Sequence, residues 1–347
     1  MKLDEIYRMI SEFNEDEYFY KKYYEAKQHP DSLDSFIRNL DVDEVKRRKL
    51  IVPEAHTGYY PSDMKDETYF QISDINNIVV NKHNRYTPEF KHTHVFFELV
   101  YVLSGQCRQK VEDEDVNLTE GCFCLLAPDA EHSIGVFDSS LVINILIRRS
   151  TFEDIFYEML RDDNKISLFF TQNLYTKRQR TYLVFDTKKD PLLKDMVLNM
   201  YGEYTEKKKY YDKILNSLLM VLFSKMLQLY EYNIRYPKST RKKDEVCTVM
   251  LSYIEKFYQR VTLREVAERF NYSPAYCSRF IKEYTGHSFT EILQDIKFRK
   301  ALSLLESTNI SIADISGMVG FENVEHFNRL FKKRYHMTPG AYRKKSN

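Results

Sequence analysis

The last hundred residues of the chain repeat themselves. When TLREVAERFNYSPAYCSRFIKEY is laid on SIADISGMVGFENVEHFNRLFKKRY, Thr262, Val266 and Ala267 fall on Ser311, Ile315 and Ser316 at an offset of 49. Arg279, Phe280, Ile281 and Lys282 then fall on Arg329, Leu330, Phe331 and Lys332 at an offset of 50, which places the extra residue in the turn. Each copy reads as helix, tight turn, helix. Thr262 and Glu265 have the spacing of a capping box for a helix running to Phe270, and Ser273 before Pro274 is a start signal for a second helix. In the other copy Ser311 caps the first helix, Gly320 can take the left-handed turn, and Asn323 caps a helix from Val324 to about Tyr335. The helix SFTEILQDIKFRKALSLLEST between the copies has no Gly or Pro and is long enough to hold them at a fixed separation.

A helix fits the major groove of duplex DNA, where base edges carry a readable donor and acceptor code. Helical spacing turns Phe280, Ile281, Phe327, Leu330 and Phe331 inward. It leaves Ala275, Ser278, Arg279 and Lys282 outward in the first copy, and Val324, Glu325, Asn328, Arg329 and Lys332 in the second. Arg suits guanine, Asn suits adenine, and Lys mostly meets phosphate. Charge agrees: residues 246–347 hold 16 basic against 10 acidic residues, a net of +6, whereas the other 245 residues hold 36 against 41, a net of −5. A basic module with a polyanionic partner is expected beside a mildly acidic one.

From about Val246 to Arg343 the chain resembles the AraC/XylS-type bacterial transcription regulators. The likeness is most specific in the second copy, at Ile312, Ile315, Gly320-Phe321, Phe327, Arg329, Phe331-Lys332-Lys333, Thr338-Pro339, Tyr342 and Arg343. It implies a domain of two helix-turn-helix units that enter successive major grooves of a promoter and, working with RNA polymerase, most often activate transcription. Cys277, Ser316 and His336 stand where the family has Leu, Ala and Gly, and are expected to be packing variants.

Upstream the texture differs. FFELVYVL, QCRQKV, CFCLLA and LVINILI are short β-branched and aromatic runs, parted by turn signals at Ser104-Gly105, Asp113-Glu114-Asp115, Glu120-Gly121 and Pro128-Asp129. They predict a small barrel or jelly roll over 70–150. Within it HTHVFFELVYVLSG sets His92, His94 and Glu98 on one face of an extended strand, joined there by Phe96, Val100 and Val102. With His132 these could form a divalent metal site. The pattern resembles the first motif of cupin barrels, although a second motif fits poorly, since His132 comes one residue early. The resemblance implies a cupin-like sensor accepting a small effector, a sugar or related metabolite, with His92, His94, Phe96, Glu98, Tyr101, Arg108 and His132 as candidate lining residues. No cofactor is required by this reading.

The expected class is α+β: a helical extension (1–69, with Leu3, Ile6, Tyr7, Ile10 and Phe13 at helical spacing), the sensor barrel (70–150), a helical dimerisation region (151–236), a linker (237–245) and the all-α DNA-binding domain (246–347). In DKILNSLLMVLFSKMLQLY, Leu215, Leu218, Leu219, Leu222, Met226 and Leu229 form one apolar stripe, to be covered either within the domain or by a second copy in a homodimer. Five scattered cysteines (Cys107, Cys122, Cys124, Cys247, Cys277) suggest reduced thiols, with Cys122 and Cys124 a buried pair sharing a strand face. The longest runs free of charge are eleven residues, 166–176 and 214–224, too short for a spanning helix, and MKLDEIYRMI lacks the pattern of a secretory leader, so a cytoplasmic protein is expected. No nucleophile elbow or phosphate loop occurs. The expected function is therefore a non-enzymatic, ligand-responsive transcription regulator, with a metal-dependent cupin enzyme fused to a DNA-binding tail, or an effector-free regulator with a dimerisation barrel, as alternatives.

Overall fold

The computed structural model of the chain describes residues 1–55, 62–70, 77–151, 166, 168–170, 173, 181–237 and 242–346. The chain divides into two compact units, residues 1–155 with 180–238 and residues 156–179 with 239–347, the later cut falling inside the expected linker.

In the first unit four helices come first: α1 (Leu3–Ser11), α2 (Glu15–Ala26), α3 (Pro30–Arg38) and α4 (Val42–Arg47). After β1 (Asp63–Met64) and the single turn α5 (Asp66–Tyr69) come β2 (Ile78–Lys82), β3 (Thr93–His94), β4 (Phe97–Ser104), β5 (Gln106–Val111), β6 (Glu114–Thr119), β7 (Cys122–Leu126), β8 (His132–Gly135) and β9 (Leu141–Ile147). Then follow β10 (Tyr182–Asp186), α6 (Pro191–Glu206), α7 (Tyr211–Tyr230) and β11 (Ile234–Arg235). β1 pairs in parallel with β3, one sheet has the order β11-β10-β7-β4-β9-β2, and a second has β6-β5-β8. Between them lies a core of Val100, Val102, Cys107, Val111, Leu118, Cys122, Cys124, Leu126, Val142 and Val184. β5 alternates exposed and buried residues, so it is covered on one face only. β4 is buried along nearly its whole length because α6 and α7 contact the six-stranded sheet on its other side, at β2 and β10.

The expectation of an all-helical stretch over 151–236 is corrected at two places. Tyr182 to Asp186 forms a strand that pairs with β7, from Tyr182 opposite Leu126 to Asp186 opposite Cys122, and Ile234 and Arg235 pair with it in turn. Five residues carry too little periodicity to separate a strand from a buried helical turn, and the free edge of β7 decides the matter. The stripe on α7 also divides. Leu215, Leu219, Leu222 and Met226 are buried within the unit, while Leu229 stays about half exposed together with Ile214 and Val221.

The amino-terminal helices are pinned to the barrel by buried charge. Glu17, with no exposed surface, pairs with Lys82 at 2.6 Å and Arg85 at 2.8 Å, and Arg85 also donates to the carbonyls of Ser11 and Glu12 and lies 3.8 Å over the Phe13 ring. Burial alone would raise the Glu17 carboxyl, but hydrogen bonds from Arg85 and Lys82 outweigh it and hold the group below its ordinary value.

Among its described residues the second unit is helical, with α8 (Lys242–Lys256), α9 (Leu263–Arg269), α10 (Pro274–Thr285), α11 (Phe289–Ser307), α12 (Ile312–Met318), α13 (Val324–Tyr335) and α14 (Pro339–Ser346). Two cores divide along α11. Its first half gives Phe289, Ile292 and Ile296 to a core with Met250, Leu251, Ile254, Val266, Ala267, Cys277, Phe280 and Ile281. Its second half gives Phe298, Ala301 and Leu305 to a core with Ile315, Val319, Phe327 and Phe331. At roughly 1.5–3 kcal/mol for each large side chain removed from water, this one helix anchors both cores. Among the described residues no helix is long and apolar enough to cross a membrane.

Candidate nucleic-acid interface and ligand cavity

The two helix-turn-helix units are built alike down to single hydrogen bonds. Thr262 accepts from Glu265 N–H and Ser311 from Asp314 N–H, capping α9 and α12. Each first helix then closes with the same six-to-one bond, Tyr272 N–H to Ala267 O at 2.8 Å and Phe321 N–H to Ser316 O at 2.9 Å. The residue in the left-handed conformation is Asn271 in one turn (φ +57°) and Gly320 in the other (φ +83°). Ser273 and Asn323 cap the second helices, α10 and α13.

Burial separates the faces of these second helices. Cys277, Phe280, Ile281, Phe327 and Phe331 are buried. Ala275, Arg279, Lys282, Glu325, Arg329 and Lys332 are exposed, and Ser278, Val324 and Asn328 are half-buried. Among the described residues no ion pair engages Arg279, Lys282, Arg329 or Lys332, which leaves four cations available on two faces. Arg334 is different, because although exposed it pairs with Asp295 of α11 and lies 5.9 Å from the centre of the Phe298 ring. The three departures from the family pattern also differ in kind. Cys277 and Ser316 are buried packing positions, but His336 is the C-cap of α13 in the left-handed conformation (φ +58°), where α10 ends on Gly286 (φ +82°). The expectation of a packing variant is corrected there: a conformational demand decides that position.

In the first unit a cavity of about 690 Å³ lies at the barrel wall. His92, His94, Phe96 and Glu98 line it beside Asn81, His83 and Asn144. Tyr20 of α2, Lys49 and Ile51 just beyond α4, and Tyr201 and Tyr204 of α6 with Lys207 at its C-cap also line it. The chain bends at Val95 and Phe96, between β3 and β4, yet His94 and Glu98 still meet, and β8 brings His132 to them through the bridge between His92 and His132. Glu98 Oε2 lies 3.1 Å from His132 Nε2 and 3.3 Å from His94 Nε2. The His92 and His132 rings are 4.1 Å apart, and His94 stacks on Phe96 at 4.5 Å. Burial raises the Glu98 carboxyl, but its hydrogen bonds to His132 and His94 hold it well below the ordinary range; burial and the neighbouring His132 lower His92 to about 3.

Two of the expected lining residues belong elsewhere. Tyr101 has the opposite parity on β4 from Glu98, so it is buried on the far face, 4.3 Å from the Phe123 ring. Arg108 sits at an exposed position of β5 and pairs with Glu89 at 3.1 Å. Asn81, His83 and Asn144 were missed because polar residues inside otherwise apolar strands look like outward positions until the register is known; Asn81 and Asn144 are cross-strand partners.

The donor set fits a divalent cation. Ligand atoms of His92, Glu98 and His132 all lie within 4.8 Å of one another, and all three side chains are buried. His94 Nε2 approaches the same Glu98 oxygen as His132, but it lies outside that group of three. Each imidazole has its Nδ1 on a backbone carbonyl, that of Phe90 for His92, Phe96 for His94 and Ala130 for His132, which is how metal-binding histidines are commonly oriented.

Comparison with known proteins places both units. Residues 80–223 match the model of an AraC-like ligand binding domain, and residues 266–345 match that of a helix-turn-helix domain. The uncharacterized HTH-type transcriptional regulator YfiF of Bacillus subtilis is 28% identical over 265 residues, 73% of this chain and 78% of its own length. The HTH-type transcriptional activator RhaR of Mannheimia succiniciproducens is 23% identical over 285 residues, 81% of this chain and 96% of its own. Among solved structures, the C-terminal domain of AraT, a response regulator from Geobacillus stearothermophilus, is 36% identical and covers 30% of this chain and 88% of its own, with a TM-score of 0.29. With a duplicated helix-turn-helix unit behind a barrel that matches an AraC-like ligand binding domain, this chain has the two-part make-up of an AraC-type transcriptional regulator.

Proposed function

We propose that the chain reads promoter DNA with α10 and α13 and that occupancy of the barrel cavity sets how well it does so. The observation that carries this reading is the pair of structurally equivalent reading helices built on the single helix α11, each presenting an Arg and a Lys to solvent. Arg279 and Arg329 would contact guanine edges, Asn328 an adenine edge, and Lys282 and Lys332 phosphates, with Ala275, Ser278, Val324 and Glu325 completing the two faces. Selecting bound duplexes from a random library with the full chain tests it. Two short enriched boxes about one helical turn apart are expected, and binding that salt abolishes without any base preference would overturn it.

The effector we infer is a small polar molecule, a sugar or related metabolite. The amides of Asn81 and Asn144, the imidazole of His83 and the aromatic rings of Tyr20, Tyr69, Tyr201 and Tyr204 around the cavity support that choice. His92, His94, Glu98 and His132 would hold a divalent metal, whose bound form would supply a fixed positive centre in the wall. Activation through RNA polymerase, a cytoplasmic setting, absence of catalysis, and a homodimer joined along the exposed residues Ile214 and Val221 and the half-buried Leu218 of α7 complete the proposal.

A further inference from the structure

We propose that the effector is an anionic, hydroxylated metabolite of the class of sugar acids and sugar phosphates, its charged group met by Lys49 and Lys207 where the barrel cavity opens to solvent and its hydroxyls by Asn144 and His83 at the buried wall. The inference rests on the reading of the cavity as a site for a sugar or related metabolite and names the chemical class within it.

The balance of charge around the cavity carries it. The charged side chains that line it are Asp16, Glu98, Lys49, Lys82 and Lys207. Three of these are already spent within the protein. Asp16 is paired with Arg48 at 2.5 Å, and Glu98 is held by His132 and His94 at 3.1 and 3.3 Å. Lys82 is paired with Glu17 at 2.6 Å and donates to the carbonyls of Ile10 and Glu12. Lys49 and Lys207 remain. Both are exposed, and among the described residues neither takes part in an ion pair, Lys207 lying only 4.8 Å from the centre of the Tyr204 ring.

The two lysines reach this opening from distant parts of the chain. Lys49 follows the C-cap of α4 and Lys207 is the C-cap of α6, and each holds the left-handed conformation, at φ +55° and +45°. Glycine or asparagine would hold that conformation at less cost, so packing alone does not ask for lysine at either place. Each belongs to a basic run, Lys46 to Lys49 and Lys207 to Lys209. Within these runs Arg48 is neutralised by Asp16 and Glu44, and Lys208 by Glu206, which leaves Lys49 and Lys207 as the uncompensated cations that face the cavity.

The buried wall asks for hydroxyl groups. Asn144 stands opposite Val100, a member of the core between the sheets, and residues directly opposite share a face, so its amide turns inward. Its Oδ1 is buried without a hydrogen-bond partner, and so is Nε2 of His83. An amide oxygen needs a donor, whereas an imidazole nitrogen donates or accepts according to its tautomer; a hydroxyl, which does both, satisfies each of them. Leaving such groups unpaired in a closed site is costly. A neutral sugar would satisfy the wall and leave both lysines to water, and a simple anion would meet the lysines and leave the wall unpaired. A hydroxylated anion does both, and about 690 Å³ is room enough for one.

The test is calorimetric titration of the purified full chain with matched probes: the common neutral pentoses and hexoses, the corresponding sugar acids, and the corresponding monophosphates, with acetate and inorganic phosphate as simple anions. At least one sugar acid or sugar phosphate is expected to bind about tenfold or more tightly than its neutral parent, and which of the two does so tells a carboxylate from a phosphate. Added salt should narrow that advantage. Lys49→Gln and Lys207→Gln should each cost the anionic probe about tenfold and narrow its advantage over the parent, while Asn144→Leu should weaken both alike. Circular dichroism checks that each variant is folded, and a misfolded Asn144→Leu leaves the exposed lysines to decide. Neutral parents that bind as tightly as all of their anionic forms, or simple anions that bind as tightly as the sugar derivatives, overturn the proposal and leave the effector site standing. Failure of every probe, neutral and charged alike, overturns the reading of the cavity as a site for sugars and related metabolites itself.

Discussion

Gly320, in the turn between α12 and α13, stands so close to Gln259, in the turn between α8 and α9, that a Cβ on Gly320 would lie 2.4 Å from the Gln259 carbonyl oxygen. The contact is locked from both sides. Gln259 Nε2 donates to Met318 O at 2.7 Å, and Lys297 from α11 donates to Gly320 O at 2.6 Å. The turn of the second helix-turn-helix unit is thereby seated on the first. Gly320→Ala must both strain a φ of +83° and push two backbones apart. We expect a loss of about 2 kcal/mol or more in urea unfolding of the full chain, and a loss below about 0.5 kcal/mol would show the seat to be slack.

His336 makes the opposite prediction. A histidine holding φ +58° at the end of α13 carries a steric cost that glycine does not. His336→Gly should therefore raise the stability of the helical unit by about 1 kcal/mol, visible as a higher thermal midpoint; a lower midpoint would mean that the imidazole is making contacts worth more than the strain.

The reading helices can be tested one residue at a time. Arg279→Ala and Arg329→Ala should each weaken binding to a selected duplex by about 1–3 kcal/mol and relax base preference at one position of the site. Lys332→Ala should reduce affinity evenly across sequences and lower the slope of log affinity against log salt by about one. If the arginine variants kept wild-type base preference, α10 and α13 would not be reading bases.

Breaking the buried cluster beneath the amino-terminal helices should be costly. Arg85→Ala leaves Glu17 buried with only Lys82 to compensate it, for an expected loss of about 3–5 kcal/mol in the first unit. The pH dependence has a definite sign. Glu17 is held below its ordinary value when folded, so its contribution is complete above the unfolded carboxyl value and is lost as pH falls through the folded one. Glu17→Gln should flatten the acid limb of the stability curve, and an unchanged limb would remove Glu17 from the account.

His83 acts in a neighbouring pH range. Burial lowers it to about 4 from an ordinary 6.5, so the folded chain keeps it neutral while the unfolded chain takes up a proton. A base depressed by folding contributes fully above 6.5, and that contribution drains away between 6.5 and about 4. His83→Gln should remove this part of the acid sensitivity in denaturation measured across that window; a curve parallel to wild type would count against it.

The helix-turn-helix units were legible in the sequence because their determinants are local. Thr262 and Glu265 lie one helical turn apart, Ser273 precedes Pro274, and Asn323 caps the helix that begins next to it, so each signal and its effect fall within a few residues. The barrel was legible as strands, and the parity of His92, His94 and Glu98 placed them on one face. Tyr101 was misassigned although its parity on β4 already set it apart from Glu98, and Arg108 because nothing local says how β5 is covered.

What the chain's own order of residues determined is thus everything carried by the helical and strand periods: where α9, α10, α12 and α13 begin and end, which of their sides is apolar, and that two imidazoles and a carboxylate share a face. Only the tertiary structure decided that β10 and β11 complete a sheet started a hundred residues earlier, that Glu17 is neutralised by Lys82 and Arg85, and that His132 arrives at Glu98. Those pairings join residues 34 to 68 positions apart. Their energy depends on register and on exclusion of water, and neither quantity exists until the chain has closed on itself.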